Sequence, residues 1–306
     1  MPNQLGLHLG TQFMTFEKAQ LAVDFVPASG PATRQLLLLV NGYSRTRGDF
    51  RAFRKRLGAL APDVATLSLD NRASGETHNE LETFDVAQMA RDARFVAQIF
   101  AQKLDLPSFA ALGVSMGGMI CQRLAFDMEQ DAERGLPLAK LSHLVLVSTT
   151  GGGKSRTWPG GREPALVYKP WPRDEPTMRA RMEKYFGPRF RKSSPLLIEM
   201  MIKNMLKATG DVQADARSGA QFTASASFDG TGFLEQIRAP TLLVTGTEDA
   251  IIPAENARTL VASLRDARLL EYPEVGHLIL IEEPEKFVAD VCTFLHESVE
   301  ETNPWN

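Results

Sequence analysis

The sequence predicts an α/β protein: a mostly parallel sheet flanked by helices, with one helical cap inserted in it. Three observations carry that expectation. Short, continuously apolar runs alternate with longer amphipathic segments, the rhythm of strands joined by crossover helices. The runs lack polar alternation, as strands covered on both faces do. The rhythm breaks once, over residues 151–239, and then resumes.

Residues 5–14 and 20–26 alternate loosely around Glu17, Lys18 and Ala19, which suggests an antiparallel pair at a sheet edge. Residues 36–40, LLLLV, read as a buried strand, 50–60 as a helix and 64–69 as a second strand closed by Asp70. Over 84–104 the apolar positions Val86, Met89, Ala93, Val96, Ala97 and Phe100 have the spacing of a helix lying on a sheet. A strand at 109–114, a helix at 119–126 and a strand at 144–147 follow. Strands at 241–244 and 268–272 and a last helix at 284–295 close the pattern, leaving a polar tail from Ser298 with Trp305 in it.

The organisation expected is therefore a core of residues 1–150 and 240–306, with a cap or lid of residues 151–239. Almost ninety residues between two strands exceed a simple connection. Helical patterns recur there at 178–186, 196–206 and 222–226, and Gly151, Gly152 and Gly153 offer a hinge where the cap departs.

Composition narrows the function classes. At 306 residues and 43% hydrophobic content the chain can bury a full core without disulfides or a structural metal. The formal net charge is −3, from 34 basic and 37 acidic side chains, with no long block of one sign. Neither nucleic acid nor an anionic membrane is expected as partner, since both select clustered Lys and Arg. The densest basic stretch, Arg45, Arg47, Arg51, Arg54, Lys55 and Arg56, is expected to be a solvated face. Cys121 and Cys292 lie in apolar helical segments as small buried hydrophobes. With no basic and apolar leader and no run near the roughly 18 apolar residues of a spanning helix, the expected address is cytoplasmic. No cofactor or metal is expected, the partner is a small molecule, and the chain is expected as monomer or homodimer.

Gly113-Val114-Ser115-Met116-Gly117 is a GxSxG pentapeptide lying between the strand at 109–114 and a helix. A serine in so sharp a turn is held in a strained backbone, projects from the carboxyl end of the strand and sits at a helix N-terminus suited to a developing negative charge. Gly113 and Gly117 leave room for the turn, and Gly118 lets the helix pack closely. The plainer alternative is that Ser115 is an ordinary helix N-cap.

Of five histidines, His8, His143 and His296 fall at unremarked edge, strand and helix positions, and His78 lies in a polar loop. His277 follows a strand end and a loop bearing Gly276, where an imidazole can face a crevice. Asp249, just past the strand at 241–244, can reach that loop. Glu248 is its rival by position, but consecutive side chains diverge. The order Ser115, Asp249, His277 is one of the known orders for a nucleophile, acid and base triad. The loop after 36–40, Asn41-Gly42-Tyr43-Ser44, should supply the second half of an oxyanion hole, with the backbone N–H groups of Tyr43 and Met116 as donors and Asn41 and Gly42 at the pocket.

These segments in order resemble the α/β-hydrolase superfamily, in particular its cap-bearing esterases, enol-lactonases and methylesterases. Asn41-Gly42 resembles the family's His-Gly loop, with asparagine in place of histidine, and Asn41 still offers a donor to brace that loop. The stretch 70–77, DNRASGET, resembles its Asp-x-Arg-Gly-x-Gly-x-Ser segment, with Ala73 and Thr77 replacing Gly and Ser. The elbow at Ser115, the acid segment ending at Asp249, Val275-Gly276-His277 and the helix start Glu283-Pro284-Glu285 complete the match. The resemblance implies a serine hydrolase. A serine nucleophile argues against the carboxylate chemistry of epoxide hydrolases and haloalkane dehalogenases. A carboxylic ester with an apolar part is the expected substrate; the alternatives are lactone or carbon–carbon bond hydrolysis, and an idle protein that binds a small ligand.

The cap carries Trp158, Tyr168, Trp171, Tyr185, Phe186, Phe190, Met200, Met201 and Met205. Most are expected to form its own small core. Trp158, Tyr185 and Met201 are expected to roof the substrate pocket.

Overall fold

The computed structural model describes residues 10–80, 83–136, 138–161, 169, 171–208 and 212–297. Their nine strands are β1 (Gly10–Phe16), β2 (Ala19–Val26), β3 (Gln35–Val40), β4 (Val64–Leu69), β5 (His78–Asn79), β6 (Ser108–Val114), β7 (Lys140–Val147), β8 (Thr241–Gly246) and β9 (Ala267–Tyr272). They form one sheet in the order β1-β2-β4-β3-β6-β7-β8-β9, with β5 paired to β2. From β4 to β9 every pairing is parallel; β1 and β2 are antiparallel, as their alternation predicts. Residues 5–9 of the expected first strand, His8 among them, lie outside the described residues, as do Tyr168 and Trp305.

The continuous apolar runs have a direct structural cause. Successive strand side chains point to opposite faces, so Leu36, Leu38 and Val40 enter one core cluster while Leu37 and Leu39 enter the other. The first cluster packs the sheet against α2 (Val86–Lys103) and α3 (Met116–Glu133), the second against α1 (Arg51–Leu60) and the last helix of the chain. Helix α3 starts immediately after Ser115 and runs past the expected 119–126, because its later turns carry polar residues on the solvent side.

Between β7 and β8 the chain forms no strand among the described residues. It forms α4 (Glu175–Glu183), α5 (Pro188–Ser193), α6 (Pro195–Ala208) and α7 (Val212–Ala226). Met178, Met182 and Phe186 meet Ile198 and Ile202 of α6 in a small third core, against which Leu278 and Ile281 pack from the main body. The stem of this insertion is stitched rather than loose. Gly230 N–H donates to the Gly151 carbonyl at 2.8 Å and Gly153 N–H to the Phe228 carbonyl at 3.1 Å, so the glycines expected as a hinge hold the two ends of the insertion together.

After β8 come α8 (Glu255–Ser263), which the periodicity had not singled out, then α9 (Ile279–Glu282) and α10 (Pro284–Leu295). The basic stretch departs from expectation. Arg47 and Arg54 are only 7% and 9% exposed, because carboxylates pull them inward: Arg47 pairs with Asp24 at 3.0 Å and with Asp70 and Glu76, while Arg54 reaches Ser68. Burial draws the Arg54 guanidinium pKa down to about 10. No helix among the described residues is long and apolar enough to cross a membrane.

Candidate active site

Ser115 stands at the carboxyl end of β6 with φ +57° and ψ −119°, a left-handed backbone that a side chain bearing Cβ seldom adopts. The strand and helix on either side enforce it. Ser115 N–H donates to the Val147 carbonyl at 2.8 Å, and Ser115 O accepts from Gly118 N–H at 2.9 Å and from Thr149 Oγ1 at 2.7 Å. Where the chain doubles back, a Cβ on Gly117 would lie 2.1 Å from the Val40 carbonyl oxygen, so only glycine lets α3 start here.

Asp249 and His277 follow β8 and β9 and meet in the interior. His277 Nδ1 is 2.7 Å from Asp249 Oδ2, and both side chains are almost fully buried. Asp249 Oδ1 accepts the Ile251 and Ile252 N–H groups, each at 2.8 Å, which fixes the carboxylate plane. Glu248 is exposed. In the neutral tautomer that carries its proton on Nδ1, the imidazole donates to Asp249 and Nε2 is the acceptor. The Tyr185 ring stands edge-on to that imidazole at 5.7 Å, and His277 N–H donates to the Tyr185 carbonyl at 2.8 Å.

The loop after β3 comes up against the serine: a Cβ on Gly42 would sit 3.1 Å from Ser115 Cβ. Asn41 braces this loop. Its Nδ2 donates to the Thr46 carbonyl at 2.7 Å and its Oδ1 accepts Gly42 N–H at 2.9 Å. Tyr43 follows directly, and Met116 on the other side is the first residue of α3, whose N–H has no intrahelical carbonyl to meet.

Ser115 and His277 open onto a single cavity of about 150 Å³ that Asn41, Gly42 and Tyr43 also line. From the cap Trp171, Met182, Tyr185 and Met205 enter it, with Ile251, Leu278, Leu280 and Ile281 from the main body. Of the three cap residues expected at the pocket, Tyr185 lines this cavity and Trp158 and Met201 do not. Trp158 stacks under the Arg156 guanidinium at 4.0 Å, and Met201 packs into the cap's own core.

Two polar side chains with no signal in the sequence, one half-buried and one fully buried, also belong here. Glu282 of α9 accepts Gly187 N–H at 2.8 Å and Gly276 N–H at 3.0 Å, tying the cap to the histidine loop; burial raises its pKa against those two bonds. Gln221 of α7, fully buried, reaches Ser44 in the loop after β3. Gln221 lies just before the helical pattern at 222–226 and Glu282 just before the helix expected at 284–295, so neither is singled out.

A sequence profile of the Alpha/beta hydrolase family matches residues 37–291. The chain belongs to that family. Among curated relatives, this α/β hydrolase is 25% identical over 266 residues to a dihydrolipoyllysine-residue acetyltransferase component of an acetoin cleaving system from Pseudomonas putida; the alignment covers 85% of the chain and 63% of that protein, so the chain spans less than two thirds of its length. It is 25% identical over 245 residues to a poly(3-hydroxyalkanoate) depolymerase from Ectopseudomonas oleovorans, covering 78% of the chain and 77% of the relative. Among solved structures, a thermophilic esterase from Thermogutta terrifontis superposes with a TM-score of 0.70 at 19% identity, over 94% of this chain and 98% of that one, a likeness of fold.

Proposed function

We propose that this α/β hydrolase is a serine hydrolase that cleaves a carboxylic ester with an apolar part, through Ser115, His277 and Asp249. The observation that carries the reading is the strained serine, Ser115 at φ +57°, opening onto the same cavity as an imidazole whose Nδ1 is held by a buried carboxylate.

In the proposed reaction His277 Nε2 takes the Ser115 hydroxyl proton as Oγ bonds to the acyl carbon. The carbonyl oxygen, now an oxyanion, receives the N–H groups of Tyr43 and Met116. His277 gives its proton to the departing alcohol oxygen, leaving an acyl-enzyme. Water then repeats the sequence, losing its proton to His277, and Ser115 recovers its hydrogen as the acid leaves. The hydrogen bond from Ser115 Oγ to His277 Nε2 is one that forms as substrate is bound, as such catalytic bonds often do.

The lining, mostly apolar with Arg45 and Asp49 also at it, supports an apolar acyl or alcohol group of modest size. A dry cavity of about 150 Å³ accommodates benzene in an engineered protein, which sets the scale. The depolymerase among the curated relatives, at 25% identity, supports a hydrolytic reading. The test is turnover of p-nitrophenyl acetate and butyrate, with covalent labelling by a fluorophosphonate mapped by peptide mass spectrometry. Label on Ser115 and loss of turnover in Ser115→Ala are expected. Label confined to another residue, or undiminished turnover in the variant, would overturn the assignment.

A further inference from the structure

We propose that Gln221, on a cap helix, is a positioning residue for the oxyanion hole: it holds the turn that aims the Tyr43 N–H at the reacting carbonyl. The inference rests on the hydrolase reading above and extends it from the core to the cap.

Tyr43 sits in a four-residue turn closed by a bond from Arg45 N–H to the Gly42 carbonyl at 3.3 Å. Because a peptide unit is planar and trans, fixing the Gly42 carbonyl toward Arg45 directs the Tyr43 N–H of the same unit the opposite way. That turn is strained. Ser44 has φ +54°, a position where turns of this shape prefer glycine. Left to itself, a serine there gains about 1 kcal/mol or more by relaxing out of the left-handed region, and the Tyr43 N–H would reorient with it.

Two contacts prevent this, and both come from α7. Gln221 Oε1 accepts the Ser44 N–H at 2.8 Å, and Ser218 Oγ, one turn earlier, is 2.8 Å from Ser44 Oγ. Gln221 is itself immobilised, since its Nε2 donates to the Arg72 carbonyl at 2.6 Å and to Ser74 Oγ at 2.8 Å. Arg72 is in turn locked to Asp92 by bonds of 2.7 and 2.9 Å. On the other flank of Tyr43, Asn41 Oδ1 holds Gly42 N–H. The donor of the proposed hole is thus gripped from both sides, once by the core and once by the cap. A glutamine with no exposed surface and every polar group of its amide used has no surface role; it ties this turn to the loop after β4.

An oxyanion hole acts in the transition state, so its loosening lowers kcat and leaves KM nearly unchanged. Removing one donor outright costs about 10²- to 10³-fold; misaiming it should cost less. The variants are Gln221→Met, which keeps length and apolar packing and removes every bond, Ser44→Gly, which relieves the strained φ, and the two combined. Turnover of a p-nitrophenyl ester is measured per active site, titrated with fluorophosphonate so that misfolded protein is not counted, alongside the affinity for an aryl trifluoromethyl ketone whose tetrahedral adduct places an oxyanion in the hole.

We expect Gln221→Met to lower kcat about 10- to 100-fold, with ketone affinity falling in parallel and KM within about twofold. Adding Ser44→Gly should restore part of both, since glycine holds the turn without the clamp. A purely structural glutamine would lower the titrated fraction or the melting temperature while leaving kcat per active site and ketone affinity at the wild-type level; that result overturns the proposal, and so does a double variant no better than Gln221→Met. Wild-type protein that neither turns over esters nor accepts fluorophosphonate at Ser115 would instead refute the hydrolase reading on which the proposal stands.

Discussion

Asp249→Asn isolates what the buried acid does, because the structure dictates how the amide must lie. Asp249 Oδ1 accepts two backbone N–H groups, from Ile251 and Ile252, at 2.8 Å each. An asparagine keeps those bonds only by placing its oxygen there and its NH₂ toward His277. The flipped amide would set NH₂ against two donors inside the protein, leaving buried N–H groups unpaired at about 1–3 kcal/mol each. The NH₂ therefore faces Nδ1, across what was the 2.7 Å bond, and can only donate to it. The imidazole must then carry its proton on Nε2, where it can no longer accept one from Ser115. In a serine protease the same exchange of acid for amide lowers kcat about 10⁴-fold, or ~5 kcal/mol of barrier, and a loss of that order is expected here with little change in KM or fold. Stopped assays on a p-nitrophenyl ester, with circular dichroism as the control for folding, measure it. A loss below tenfold in folded protein, or a larger loss in Glu248→Gln, would refute the tautomer argument.

Substrate size should respond to the residues that line the cavity and not to their neighbours in the cap: Trp171→Ala and Met205→Ala are expected to shift relative turnover toward longer or bulkier p-nitrophenyl esters, while Trp158→Ala leaves the ranking unchanged, and an equal response from all three would remove the pocket assignment. Gly117→Ala forces a Cβ against the Val40 carbonyl, where backbone must move, so thermal or urea unfolding should register about 3 kcal/mol of destabilisation, the upper part of the usual range for overpacking; a change under about 0.5 kcal/mol would mean that the elbow is more compliant than its contacts indicate.

The sheet was legible in the sequence wherever burial on both faces left nothing polar, as at Leu36 to Val40, where each residue enters one core or the other. Helix α8 was not, because Glu255, Arg258 and Thr259 on its exposed side dilute a stripe of only Asn256, Ala257 and Leu260. Ser115, Asp249 and His277 were readable as candidates because each follows a strand end whose neighbours in sequence create its environment. The pocket wall was not. Trp158 and Trp171 stand in nearly the same local setting, each followed by proline and each meeting an arginine in space, at 4.0 and 4.1 Å, yet only Trp171 reaches the cavity. That difference is made by how the cap packs, which no local pattern encodes. Arg47 and Arg54 were misread for the same reason, since the carboxylates that bury them come from β2 and the loop after β4.

The carboxylate of Glu282 spans two peptide N–H groups, one in the insertion and one beside the histidine. Evolution treats an insertion between strands as an exchangeable part, free to diversify while the chemistry below stays put. Here the part and the chassis share a fastener. A graft that brought in a foreign cap would leave the half-buried Glu282 without its partner in the insertion, facing whatever replaced Gly187, and would disturb the imidazole beside it before any substrate arrived. Diversification of this protein's specificity is therefore expected to proceed by point changes on the inner face of the resident cap, with the stretch around Gly187 held still, and chimaeras that respect that junction should retain turnover where chimaeras cut through it lose it.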